Sequence, residues 1–147
     1  MAKPNIGDEW WSAPTESENG NLIIVTGREN AIAAKDMGYI HRVEVTWKYE
    51  PDKNGMPDYA TSTLMESITE DLKSAFHKNP VAVMTGIYTG DGERNWIFYS
   101  KRPDLFGKVF NTTLAPYDLL PITIYVENDP DWAEYMEMSE CRVDSAD

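Results

Sequence analysis

Four carboxylates fall within ten residues near the end of the chain, in the stretch Val126-Glu-Asn-Asp-Pro-Asp-Trp-Ala-Glu-Tyr135. Carboxylates at this density are the residue type expected of a metal site or of acid–base chemistry. The alternative is a helix start, because Asp129 before Pro130 fits an N-cap followed by proline at the first helical position. Trp132 and Tyr135 would then share the face that packs on the protein. The stretch therefore predicts a short, capped C-terminal helix beginning just after Pro130.

A second stretch with possible chemistry is Thr89-Gly-Asp-Gly-Glu93, which has the glycines of a phosphate- or calcium-binding loop. A phosphate loop needs a helix directly after its glycines, so that free N–H groups face the anion. Here the strand pattern of 95–100 follows instead. The stretch therefore predicts a plain hairpin turn.

The remaining reactive side chains do not form a set. His41 lies at a predicted strand start and His77 in the last turn of a predicted helix, and Cys141 lies in an acidic tail, unlike the electropositive surroundings of a reactive cysteine. The sequence contains neither a nucleophile motif nor a metalloprotease motif. We expect no catalytic residue, no metal and no cofactor, and whether the protein is an enzyme stays open with the balance toward no.

The best binding candidates are arginines and aromatics of the central part of the chain. Arg28 follows a Thr-Gly pair and Arg94 lies at the predicted hairpin turn, so both could meet an anion, although either could instead pair with the acidic C-terminal helix. The predicted binding residues are Arg28, Arg42, Arg94, Trp96 and Tyr99.

Hydrophobic periodicity predicts an α+β fold. The elements in order are a strand at 39–49, a helix from about Thr63 to 79, a hairpin of 81–88 with 95–100, a helix at 105–114 and a core strand at 122–126. This order is that of the ferredoxin-like split βαβ arrangement, an antiparallel sheet with two helices on one face. We predict one domain over 1–147, with a core at about 39–127, an N-terminal strand extension at 8–30, and a C-terminal helix with an acidic tail at 128–147.

Such a sheet leaves its second face without helices. Arg42, Glu44, Thr46 and Lys48 alternate onto that face, and aromatics of 96–99 must reach it too. RNA-recognition domains stack bases on aromatics at this position, whereas the N-terminal strands, a second copy of the chain or a partner protein could equally cover it. We favour one of these protein covers.

The net charge of −12 lies mainly in residues 1–21 and 127–147, and the centre is close to neutral. An acidic chain is a poor partner for nucleic acid or an anionic membrane. The N-terminus lacks the pattern of a signal peptide, no segment has the length of a membrane span, and the single cysteine excludes an internal disulfide. We therefore expect a cytoplasmic protein.

Several short motifs follow one another between Trp47 and Tyr135. They are Trp47-Lys-Tyr49, Asn54-Gly-Met-Pro57, Glu66, Tyr88-Thr-Gly90, Arg94-Asn-Trp-Ile-Phe-Tyr99, Asp129-Pro-Asp-Trp132 and Tyr135. Residues 39–135 thereby resemble the bacterial family called domain of unknown function 695, which implies no activity, cofactor or catalytic residue. More distantly the chain resembles the regulator of ribonuclease activity B, an acidic inhibitor that acts by protein contact.

These observations favour a non-catalytic binding or regulatory domain that acts through protein–protein contact or as a homodimer. The alternative is an enzyme or a small-ligand-binding domain that uses Arg28, Arg94 and carboxylates such as Glu66 or Asp129 in a cleft beside the sheet. RNA binding is the third hypothesis.

Overall fold

The computed structural model describes residues 3–142, which form an α+β fold with one six-stranded antiparallel sheet and three helices. The strands are β1 (Trp10–Glu16), β2 (Leu22–Arg28), β3 (His41–Lys48), β4 (Ala82–Gly90), β5 (Glu93–Ser100) and β6 (Ile122–Asn128). The helices are α1 (Tyr59–Lys78), α2 (Pro103–Leu114) and α3 (Ala133–Ser139), with a 3-10 helix at Ala31–Ala34. Residues 143–147 of the predicted acidic tail lie outside the described range.

The strands are ordered β1-β2-β4-β5-β3-β6 across the sheet. The predicted N-terminal strand pair pairs with β4 and so widens the sheet, with Gly27 opposite Gly86. The N-terminal strands therefore do not lie across the second face of the sheet, which was one of the predicted ways of covering that face. The chain between β4 and β5 turns at Asp91 and Gly92, whose positive φ angles of 53° and 84° are those of a two-residue type I′ hairpin. The hairpin prediction for this stretch is confirmed.

Helices α1 and α2 pack on one face of the sheet. Apolar residues four apart in α1, including Ile68, Leu72 and Phe76, meet alternate residues of β3, β4 and β5. Phe76, Phe98 and Phe106 form an aromatic group with ring centroids 5.0 to 5.2 Å apart. Val43, Val45 and Trp47 contribute from β3. This face holds the larger core.

Helix α3 covers part of the opposite face. Its buried side chains Tyr135 and Met138 join Trp132, Tyr99 and Val25 in a second core cluster. The Trp132 ring stacks on Tyr99 with centroids 4.4 Å apart, and its indole N–H donates to the Tyr39 carbonyl at 2.8 Å. The sheet face on which residues 96–99 were predicted to expose aromatics is therefore covered at Tyr99 by Trp132 of the same chain.

Two predicted helix starts differ from the structure. Helix α1 begins at Tyr59 because the Asp58 side chain accepts from the Thr61 N–H at 2.8 Å, whereas Thr63 is already inside the helix. Helix α3 begins at Ala133, so Pro130 is in the preceding turn and not at the first helical position. The N-cap residue is Trp132 and not Asp129 as predicted, but the Asp129 carboxylate accepts from the N–H groups of Ala133 and Glu134 and so caps the first turn from further upstream.

Strand β6 forms as predicted but is not a core strand. Among the strands of residues 3–142 it pairs only with β3, and it lies at the edge of the sheet. Ile124, Tyr125 and Val126 are 45%, 56% and 41% exposed. Alternation of apolar residues predicts a buried face, but no helix lies far enough toward β6 to bury it.

Candidate functional site

The width of the sheet explains where its helix-bearing face stays open. Strands lie about 4.8 Å apart and a helix with its side chains is about 10 Å wide, so two helices cover roughly four strands. The sheet has six. Helix α1 packs against β4 and α2 packs beside α1. Trp10 of β1 and Ile122 of β6 still reach the core, but the rest of this face is open at both ends of the sheet.

A cleft of about 470 Å³ lies between α1 and the β1–β2 extension. Ile24 and Thr26 of β2 line its floor together with Ile87 of β4. Trp10 of β1 and Met56 of the loop before α1 also line it. The volume is that of a small-molecule site, which typically spans about 300–1,000 Å³.

Arg94 is the buried charge of this cleft, with 9% of its surface exposed. Its Nε donates to the Thr89 hydroxyl at 2.9 Å, and its Nη1 donates to Glu66 at 3.0 Å. The guanidinium lies 5.8 Å from the Trp96 ring. Its Nη2 makes no hydrogen bond with residues 3–142. Arg94 thus pairs with α1 and not with the acidic C-terminal helix.

Lys73 of α1 separates this cleft from a neighbouring cavity of about 550 Å³. Its ammonium lies 4.5 Å from the Trp10 ring centroid and 3.8 Å from the Asp8 carboxylate. Arg28 lines the second cavity but bonds to backbone, because its Nε donates to the Gly7 carbonyl and its Nη1 to the Met84 carbonyl. Burial lowers the pKa of Arg28, against the raising effect of Asp8. Arg28 therefore fixes the N-terminal segment to the sheet.

Arg42 lies on the opposite face, where three carboxylates surround it. Glu127, Glu44 and Glu134 lie 3.1, 3.6 and 3.6 Å from its guanidinium nitrogens. Burial lowers the pKa of Arg42, but the charges of these glutamates raise it further, so the net shift is upward. The arginine that pairs with the C-terminal helix is thus Arg42. Its position on the strand face was predicted, but its burial was not.

The two aromatics predicted to bind a ligand are core residues. Trp96 is 1% exposed and points toward α1, where its indole N–H donates to Thr69. Tyr99 is 0% exposed and donates its hydroxyl hydrogen to Asp129 at 2.7 Å. Burial and this hydrogen bond raise the pKa of Tyr99. The five predicted binding residues therefore occupy two faces and do not converge.

The outer edge of β6 presents backbone groups that pair with no other strand in the described part of the chain. The Asp129 N–H donates to the Ile40 carbonyl at 2.8 Å, which continues the β3–β6 ladder as a hydrogen-bonded pair. Because such pairs alternate with non-hydrogen-bonded pairs, Ile124 and Val126 direct their N–H and C=O groups away from β3. Their side chains lie on the α2 side, since they oppose Val45 and Val43.

The other edge of the sheet is protected. The Glu29 N–H donates to the Glu9 carbonyl, so the same alternation directs the backbone nitrogen of Pro14 outward from β1. Proline has no N–H to offer an added strand, and proline on an edge strand is a common protection against edge pairing. Strand β6 has no proline and one charged residue, Glu127.

The sequence did not indicate Trp10, Thr26, Thr89 and Lys73 as cleft residues. Strand alternation places Ile24, Thr26 and Arg28 on one face, but only the position of α1 shows that this face is open. Within residues 3–142, no three His, Cys, Asp or Glu residues are grouped to hold a metal ion. No helix in the same range is both long and apolar enough to cross a membrane.

The model of the family described as "Family of unknown function (DUF695)" matches residues 9–138. No curated protein and no solved structure matches the chain. The distant resemblance to the regulator of ribonuclease activity B stays a prediction.

Proposed function

This chain belongs to the family of unknown function DUF695, and we propose that it is a non-catalytic protein-binding domain whose β6 edge pairs with an extended segment of a partner protein. The segment alternates apolar and basic side chains. The observation that carries the proposal is the free β6 edge, with Ile124, Tyr125 and Val126 exposed.

Backbone pairing supplies the first part of the recognition. An exposed edge strand is a template to which an extended peptide adds by main-chain hydrogen bonds. The outward N–H and C=O groups of Ile124 and Val126 offer such bonds. Their side chains, with fully exposed Leu119 just before the strand, form an apolar surface on the α2 side that favours apolar residues in the partner.

Charge supplies the second part. On the α3 side of the same edge, Glu127 is exposed and Glu44 is partly exposed, with side-chain exposures of 42% and 30%. Arg42 between them is buried and shared among three carboxylates. A partner strand with lysine or arginine on this side meets opposite charge, which favours association and discriminates against acidic segments.

The same charges disfavour a second copy of this chain as the occupant. Two β6 edges in antiparallel contact bring two acidic sheet faces together, and each chain carries a net charge of −12. Like charges across an interface oppose association. A basic partner is therefore the better complement.

We also infer that β3–α1–β4–β5–α2–β6 is a ferredoxin-like split βαβ unit. The order β4-β5-β3-β6 within the antiparallel sheet supports this assignment. The cytoplasmic location and the bacterial origin remain predictions. The low abundance of basic residues beside β6 supports a protein ligand over RNA.

The test uses two peptides of the length of β6, one alternating valine with lysine and one alternating valine with glutamate. Hydrogen–deuterium exchange is measured with and without each peptide. We expect the lysine peptide to protect the amides of Ile124 and Val126. The amides of Thr123 and Tyr125 already point to β3 and should change little.

Variants locate the contact. Ile124→Pro removes an outward N–H, as Pro14 does on β1, and should weaken lysine-peptide binding by at least about tenfold. Ser12→Pro makes the equivalent change on the β1 edge and should leave binding unchanged. Equal binding of both peptides, or binding without protection of Ile124 and Val126, would reject the proposal. If light scattering shows that the protein is a dimer, and Ile124→Pro makes it a monomer, then the occupant of the β6 edge is a second copy of the chain and not a partner protein.

A further inference from the structure

We propose that the cleft between α1 and β2 binds a small organic carboxylate with an apolar body, with Arg94 holding the carboxylate. This site lies on the β1–β2 side of the sheet, opposite the β6 edge. It does not depend on the proposed protein binding.

Arg94 is fixed in place before any ligand arrives. The Thr89 hydroxyl accepts from Nε at 2.9 Å, and the guanidinium lies over Trp96 at 5.8 Å. Trp96 is itself held by its hydrogen bond to Thr69, whose hydroxyl donates to the Met65 carbonyl. A cation held by packed neighbours loses little side-chain freedom on binding, which favours affinity.

Glu66 shows which ligand group fits Arg94. Its carboxylate accepts from Nη1 at 3.0 Å, while its side chain is 66% exposed. Exposed ion pairs contribute little to stability, so this carboxylate can be displaced easily. A ligand carboxylate would take its place beside the buried guanidinium and could also accept from Nη2, since arginine binds carboxylates through two nitrogens.

The rest of the cleft fits an apolar body. Trp10, Ile24 and Ile87 line it, and hydroxyls such as that of Thr26 add polar contacts. Lys73 adds a second cation to the lining, but its ammonium already lies 3.8 Å from Asp8 and 3.9 Å from Glu70. Arg94, whose Nη2 is unused within residues 3–142, is therefore the cation that a ligand carboxylate would meet.

The test uses 3-phenylpropionate as the probe, with its neutral amide and phenyl phosphate as comparisons. Binding is followed by the NMR signal of the Trp10 indole N–H, assigned with Trp10→Phe. We expect the carboxylate to shift this signal in a saturable manner and to bind at least about tenfold more tightly than the amide. Tighter binding of phenyl phosphate would overturn the assignment to carboxylates.

Two variants with opposite expected effects test the role of Arg94. Arg94→Gln should weaken carboxylate binding at least about tenfold, whereas Glu66→Gln removes the competing carboxylate and should strengthen it by about threefold. Arg102→Gln at the other end of β5 is the matched control, since Arg102 pairs with Asp104 at the surface and lies outside the cleft.

If Arg94→Gln does not fold, Glu66→Gln still tests whether the ligand carboxylate binds at Arg94, because Glu66 is exposed and its replacement leaves the core intact. A Glu66→Gln protein that binds the carboxylate no better than the wild type would overturn the proposal. So would a folded Arg94→Gln protein with unchanged affinity, or the absence of any Trp10 shift. None of these outcomes bears on the β6 edge.

Discussion

Arg42 Nε and Glu134 Oε1 face each other at 3.6 Å between the sheet and α3, and neither atom has a hydrogen-bond partner in residues 3–142. Glu134 makes its hydrogen bond through the other oxygen, which accepts from the Tyr88 hydroxyl. Burial raises the pKa of Glu134, although Tyr88 and Arg42 oppose the shift. The contact that joins α3 to β3 is therefore a charge pair with incomplete hydrogen bonding.

Glu134→Gln should become progressively more stable relative to the wild type as pH rises. Between the ordinary glutamate pKa of about 4.3 and the raised value, folded Glu134 keeps a proton that the unfolded chain has released. The free energy of unfolding of the wild type therefore falls through this interval because of Glu134, and glutamine cannot titrate. Urea unfolding of the wild type and of Glu134→Gln, at one pH below this interval and one pH above it, measures how the difference in their free energies of unfolding changes. A difference independent of pH would contradict the assigned burial effect.

Asp129→Ala should lower the free energy of unfolding by about 2 kcal/mol at neutral pH. The change removes the α3 cap, worth about 1 kcal/mol, and leaves the buried Tyr99 hydroxyl without its acceptor. Although burial raises the pKa of Asp129, hydrogen bonds from Tyr99, Glu134 and Ala133 lower it further. Its contribution is thus present above the ordinary aspartate pKa and lost as pH falls below it. Exposed Asp131→Ala is the control and should have little effect; equal effects would refute the capping role.

Local signals were sufficient to predict most elements. The period of four through Ile68, Leu72 and Phe76 predicts α1, and the strand patterns on both sides of Asp91-Gly92 predict the hairpin. These patterns depend on neighbours along the chain, which the sequence displays directly. The capping role of Asp129 is equally local.

The candidate sites depend on placement across the fold and so could not be read from local pattern. Ile124 and Val126 alternate like core residues, yet they are exposed because α2 does not reach the sheet edge. Trp96 and Tyr99 suggested a binding face, yet α1 and Trp132 cover them. Whether these side chains are buried depends on which helix packs against which strand, and that packing is a property of the tertiary structure.

Trp132→Ala should destabilise the protein by about 3–5 kcal/mol, the usual range for removing a buried aromatic side chain. Trp132 is 0% exposed and adopts a left-handed conformation, with φ at 55°, which a bulky residue keeps only when its surroundings hold it. Its stacking on Tyr99 and its bond to Tyr39 provide that hold. Thermal unfolding measures the effect. Tyr59→Ala, at an 87% exposed aromatic, is the control and should change stability by less than about 0.5 kcal/mol.

Gly27→Ala and Gly107→Ala should have opposite effects on stability. A Cβ at Gly27 would lie 2.3 Å from the Trp11 ring, so the indole must move and the expected cost is about 1–3 kcal/mol. A Cβ at Gly107 in α2 meets nothing within 4 Å, and alanine there should stabilise the helix by up to about 1 kcal/mol. Urea unfolding of both variants compares the same chemical change at the two positions. Stabilisation by Gly27→Ala would show that Trp11 does not lie over β2, because that ring supplies the three atoms nearest to the new methyl group.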